Sequence, residues 1–183
     1  MAIHMATQVK RWTLEELHSL PDDGNKYELV RGELFVAPPP NPEHQGIIGA
    51  LNALLVPYVA ANDLGIVDLA RSVLRFQGSE VEPDLMVRDR LRKDADWDRQ
   101  PIPILVVEVL SPSTRRRDQS QKRALYTEAG VGEYWIIDPD RRTITVARRG
   151  APDQTLHDAL IWHPTGAAKP LEIQLADVLD CLS

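Results

Sequence analysis

The chain has a single cysteine, Cys181, in 183 residues, so no disulfide can close within it and a zinc site built from thiolates is impossible. Long apolar runs are also missing. The longest stretches, residues 50–61 and 102–110, fall short of the roughly 20 residues that cross a bilayer, and both carry polar or proline interruptions, so no membrane span is expected. The opening MAIHM lacks a basic segment followed by a long apolar one, as a secretory signal would have. With one cysteine and no such signal, the expected location is a reducing cytoplasm. There is no repeat with a period of about 20 to 50 residues and no low-complexity tract. Neither a glycine-rich phosphate loop nor a nucleophile-elbow serine occurs, which excludes hydrolases and nucleotide binders of those types.

What is present is ordinary globular material, 43% hydrophobic and 26% charged, with 5% aromatic residues. The expected organisation is a short extension over residues 1–12 and one domain over 13–183. A net charge of -6 argues against a general polyanion binder, whose affinity comes from Lys and Arg neutralising phosphates. The distribution is uneven, however. Between Ser111 and Gly150 nine basic residues face five acidic ones, a local net charge of +4 that leaves -10 for the remainder. Such a block fits either a phosphate-facing side or a solvated face flanking two turns.

Thr13-Leu14-Glu15-Glu16 is a capping-box pattern opening a short helix with Leu14, Leu17 and Leu20 as its stripe. Residues 27–30 and 33–36 predict a hairpin turning at Arg31-Gly32, ended by Pro38-Pro39-Pro40. From Glu43 to about Ala61, apolar residues recur at spacings of three and four, the strongest helix signal in the chain, with Pro57 expected to end or kink it. Strands are predicted over 65–69, 73–76 and 84–87, an exposed loop or short helix over 88–103, and a buried strand over 104–110. Ser111-Pro112-Ser113-Thr114 then supplies N-cap residues for a helix reaching Ala129 and stopped by Gly130. Strands follow over 133–138 and 143–147, with shorter ones near Leu156, 160–162 and 171–173. The core order is helix, three strands, helix, strand, which indicates an α/β fold with a mixed sheet and helices packed on it. Parallel pairing is expected where the helix over 116–129 crosses between strands.

Three polar residues stand where this pattern does not need them. Glu108 interrupts an apolar central strand, where a carboxylate requires a cation or metal. Asp84 opens its strand after Pro83, and Lys122 shares a helix face with Leu125, Tyr126 and Ala129. Singly, each has a structural reading: a Glu108–Lys122 ion pair, or a strand-end turn at Asp84. Together, two carboxylates and an ammonium converging on one site suit a hard divalent cation, Mg2+ or Mn2+, beside a lysine that offsets charge on a phosphoryl oxygen. Tyr126 is expected to pack between helix and sheet with its hydroxyl near a site carboxylate. Glu28 reads by itself as an exposed hairpin position, and His44 either caps the long helix or holds water beside the metal. His18, His157 and His163 show no ligand spacing.

YELVRGEL, EPDLMV, ILVVEVLSPST, RDQSQKRALYTEAGV and EYWIIDP, in this order over most of residues 13 to 150, resemble the Uma-two family, a domain family of unknown function classed with restriction endonucleases. The resemblance implies a restriction-endonuclease-like core (αβββαβ) of the PD-(D/E)xK nuclease superfamily, with an N-terminal helix and hairpin and an added C-terminal strand region. It makes Pro83-Asp84 the PD element and Glu108 the second acid, so that Asp84 and Glu108 would hold the metal. The superfamily pattern places a lysine two residues after the second acid, where this chain has Leu110, and the resemblance implies that Lys122 takes over from the helix. The catalytic set would then be Asp84, Glu108 and Lys122, with Glu28 and His44 in support. The implied activity is Mg2+- or Mn2+-dependent hydrolysis of DNA, with Arg115, Arg116, Arg117 and Arg123 contacting the DNA backbone. A homodimer is expected, with the edge hairpin over 27–36 as its surface. The alternative is a catalytically inactive binding module that retains the fold, favoured by the acidic net charge and by Leu110.

Overall fold

The structure is a computed structural model that describes residues 10–91, 100–111, 115 and 118–181. A capping box at Thr13 opens α1 (Leu14–His18): its hydroxyl accepts from the Glu16 N–H while the Glu16 carboxylate accepts from the Thr13 N–H. The hairpin follows as β1 (Lys26–Val30) and β2 (Glu33–Ala37), turned at Arg31 and Gly32 with both φ angles positive. Next come α2 (Pro42–Ala61), β3 (Ile66–Leu69), β4 (Leu74–Phe76), β5 (Ser79–Val81), β6 (Leu85–Arg88) and β7 (Leu105–Val109). A π-helical turn over Asp118–Lys122 runs directly into α3 (Arg123–Ala129), which Gly130 ends in the left-handed conformation at φ 86°. The chain then forms β8 (Glu133–Asp138), β9 (Thr143–Arg148), β10 (Gln154–Leu156), β11 (Ala159–Trp162), β12 (Leu171–Gln174) and α4 (Leu175–Leu179).

Six strands form the main sheet in the order β10-β9-β8-β7-β6-β3, and only β7 and β8, joined through α3, run parallel. The two faces carry different cores. Odd-numbered residues of the central strands (Leu85, Val87, Leu105, Val107, Trp135, Ile137) meet Leu51 and Leu55 of α2, and β11, β12 and α4 complete this side with Trp162, Ile173 and Val178. Even-numbered residues (Met86, Val106, Tyr134, Ile136) meet Leu125, Tyr126 and Ala129 of α3 together with Val30, Leu74 and Val81 of a second, four-stranded sheet, β2-β1-β5-β4.

Several local expectations are corrected. Pro57 does not end α2, because it and Ala53, whose carbonyl loses its helical donor, lie on the exposed side while Leu51, Leu55 and Val59 anchor the opposite side. At 20 residues α2 is long and apolar enough to cross a membrane by length and composition, although Ile47, Leu51 and Leu55 are fully buried in the core. Residues 74–76 belong to the smaller sheet, as half of the β4–β5 hairpin, so the core is read as α2, β3, β6, β7, α3, β8. Arg88 is not in a loop. It ends β6, is 2% exposed, and is paired with Asp68 at 2.5 Å. The N-cap expected at residues 111–114 falls largely outside the described residues. The short α4 was not expected from the sequence; it buries Leu175 and Val178 beneath α2.

Gly65 has φ +107°, and a Cβ there would lie 2.0 Å from the Arg88 carbonyl oxygen. Gly49, exposed within α2, has open space around it. Urea denaturation should therefore show Gly65→Ala destabilised by about 2 kcal/mol or more, from strain and clash. Gly49→Ala should gain up to about 1 kcal/mol from helix propensity alone.

Candidate active site

β6 and β7 pair antiparallel with Leu85 opposite Val107 and Met86 opposite Val106. Extending that register by one residue sets Asp84 across from Glu108, on the α3 side of the sheet. The contact is fixed from below, because the Val109 N–H donates to Asp84 Oδ2 at 2.9 Å. His44 reaches the same oxygen through Nε2 at 3.0 Å from the first turn of α2. It does not cap that helix. Asn41 does, its Oδ1 accepting from the His44 N–H at 2.8 Å.

Glu108 is met from the π-helical turn and α3. Lys122 Nζ and the Tyr126 hydroxyl both donate to its Oε1 at 2.7 Å, and all three residues are fully or almost fully buried. The helical spacing read from the sequence brings these two donors to one oxygen, since residues four apart share a helix face. Tyr126 packs edge-on against Tyr134, whose hydroxyl donates to the Asp118 carbonyl at 3.1 Å. Lys122 also lies 2.8 Å from Glu28 Oε1 and 3.5 Å from Asp118 Oδ1. Glu28 is thus no exposed hairpin residue but a buried member of the cluster, and it also accepts from the Glu82 N–H at 2.9 Å.

Two members were missed from the sequence. Lys26 shares the face of β1 with Glu28, two residues on, and its Nζ lies 3.2 Å from Asp84 Oδ1 and 3.8 Å from Glu28 Oε1. Asp118 stands one turn before Lys122. The signal for both was spacing: i+2 in a strand, i+4 in a helix.

Burial alone would raise the Asp84 carboxyl, but Lys26, His44 and Lys122 outweigh it and hold the group well below the ordinary carboxylate range. Glu108 goes the other way: burial pushes it up to about 8 against the pull of Lys122 and Lys26. Both donors bond to its Oε1, which leaves Oε2 as the place for that proton. Burial opposes the charge of both lysines, yet the surrounding carboxylates raise each of them, Glu28 and Asp84 for Lys26, Glu108 and Glu28 for Lys122.

Asp84 and Glu108 lie in a cleft of about 670 Å³, also lined by Lys26, Pro38–Asn41, His44, Arg71 and Ser111 among others. Among the described residues no group of three or more His, Cys, Asp or Glu side chains is arranged to hold a metal. The donor set nevertheless fits Mg2+ or Mn2+. Four buried carboxylates (Glu28, Asp84, Glu108, Asp118) surround two ammonium groups, an excess of acid, and Mg2+ commonly takes only one or two carboxylates and keeps several waters.

The basic block of the sequence is largely neutralised locally. Arg115 pairs with Asp138 and Asp140, Arg123 with Asp153, Arg142 with Asp180 and Arg148 with Glu133. Arg116 and Arg117 lie outside the described residues.

Because Glu108 has a folded pKa near 8, above its unfolded value, the native state keeps a proton that the unfolded chain releases. Its stabilising contribution is fully present at acid pH, and is lost as pH rises from about 4.5 through about 8. Metal-free protein should accordingly lose stability over that range relative to Glu108→Gln, as urea titrations at several pH values would show.

The family model described as "Uma2: Putative restriction endonuclease" matches residues 14–176. A crystal structure described as a putative nuclease belonging to DUF820, from Anabaena variabilis, superposes with a TM-score of 0.78 over 93% of this chain and 99% of that one, at 22% identity. At that identity the likeness is one of fold, and it agrees with the restriction-endonuclease-like core. No curated protein matches the chain. With its αβββαβ core and a family match that covers most of its length, the chain belongs to the Uma2 family of restriction-endonuclease-like proteins.

Proposed function

We propose that the chain is a divalent-metal-dependent nuclease that hydrolyses DNA phosphodiester bonds in the cleft over Asp84 and Glu108. The observation that carries this reading is the pairing of those two carboxylates across β6 and β7 at an open cleft, within a cluster where buried acids outnumber buried lysines. Asp84 and Glu108 would hold Mg2+ or Mn2+. When bound, the cation supplies Lewis-acid polarisation of a phosphoryl oxygen and a lowered pKa for the attacking water.

The chain's own residues supply the rest. Val109 N–H and His44 orient Asp84, while Tyr126 and Lys122 fix Glu108 through Oε1, so that Oε2, on giving up its proton to solvent, would be free for a cation. Leu110, at the motif's lysine position, is buried among apolar residues, and the ammonium arrives from the helix instead. In this reading Lys122 takes the migrated lysine's place and acts by holding Glu108. In the reaction the water oxygen bonds to phosphorus, one P–O ester bond breaks, and the products are a phosphomonoester and a hydroxyl. The water gives a proton to solvent at the open cleft, and the departing oxygen takes one.

A dimer would fit cleavage of both strands. The hairpin does not offer both strands for it, since β5 covers β1; β2, with Val36 52% exposed, is the open edge. Light scattering should give the mass of two chains.

Calorimetric titration of Mg2+ and Mn2+ should detect binding to the wild type that Asp84→Ala abolishes. Plasmid nicking on the same samples should fall by at least about 100-fold. A wild type that neither binds metal at several millimolar nor nicks would retire the nuclease reading.

A further inference from the structure

The two lysines of the cluster differ in what they can touch. Lys122 Nζ is surrounded by Glu108, Glu28 and Asp118, its side chain is 0% exposed, and it does not line the cleft. Its charge is committed to holding carboxylates. Lys26 Nζ belongs to the same network through Glu28 Oε1, but its side chain is 20% exposed and lines the cleft beside Asp84 and Glu108. Of the other basic side chains lining that cleft among the described residues, Arg71 faces outward to Asp22 and His44 is tied to Asp84.

We infer that Lys26, at the start of β1, is the catalytic lysine that contacts the scissile phosphate, and that Lys122 is a positioning residue acting through Glu108. This rests on the nuclease reading of the cleft. Hydrolysis of a phosphodiester loads negative charge onto the non-bridging oxygens, and an ammonium aimed at them from the protein stabilises that charge only if it reaches the cleft. Lys26 does. Its contact to Asp84 Oδ1, 3.2 Å, is a single bond at the end of a flexible four-carbon stem, so the ammonium can turn to an anionic oxygen while β1 stays in place. The strand holds its base firmly, since Lys26 pairs with Ala37 at the cleft mouth.

The test compares wild type, Lys26→Met and Lys26→Arg in three readouts: plasmid nicking with Mn2+, calorimetric Mn2+ binding, and affinity for a short DNA duplex in Ca2+ without cleavage. Lys26→Met should nick at least about 100-fold more slowly. It should bind the duplex several-fold more weakly and Mn2+ as tightly as wild type or tighter, because a cation beside Asp84 is gone. Lys26→Arg, which keeps the charge and the fold, should recover part of both the rate and the duplex affinity. If Lys26→Met nicks and binds duplex like wild type, the inference falls while the nuclease reading stands. Loss of Mn2+ binding together with nicking in Lys26→Met would make the residue structural and overturn it as well. If the wild type binds Mn2+ and duplex without nicking, the nuclease reading falls and the catalytic role of Lys26 falls with it. A wild type that does neither overturns both.

Discussion

A carboxylate in the middle of a buried strand has to be met by a cation, and the meeting of Glu108 with Lys122 at 2.7 Å is the constraint around which this molecule is arranged. The ammonium comes from the π-helical turn that runs into α3, which fixes how that helix lies over β7 and β8. Its second partner is Glu28, so the smaller sheet is tied to the same point. The π-helical turn that ends at Lys122 brings Asp118 into the cluster as well. Removing Lys122 would leave Glu28, Glu108 and Asp118 crowded in the interior without the ammonium they share, which is far more costly than any one of the pairs is stabilising.

The main sheet divides its labour between faces. The centre of the α2 face is apolar, with Trp135 and Trp162 edge-on at 5.6 Å and α4 closing the layer. The α3 face admits the acids. Strand alternation makes this possible, since Val107 and Val109 feed one core while Glu108 between them points to the other side.

Much of this was legible in the sequence, for identifiable reasons. Glu108 broke an apolar run, Lys122 broke an apolar helix stripe, and the hairpin, capping box and Gly130 stop are local signals that tertiary structure left intact. What was hidden depended on partners far away in the chain. The sheet to which β4 belongs is decided by its pairing with β5 and β1, and the continuation of α2 past Pro57 by which side of the helix is buried. Glu28 looked like a surface residue because its partners lie 54 and 94 positions on, at Glu82 and Lys122. The basic block looked phosphate-facing because the acids that neutralise Arg123 and Arg142 follow 30 and 38 residues later.

The separation of Glu28 from Lys122 bears on the order in which the chain can be completed. The hairpin, β6 and β7 precede α3 in the chain, so until Lys122 is made Glu28, Asp84 and Glu108 have Lys26 but not Lys122 to meet them. The complete constellation therefore exists only in a chain whose crossover from β7 to β8 is already made.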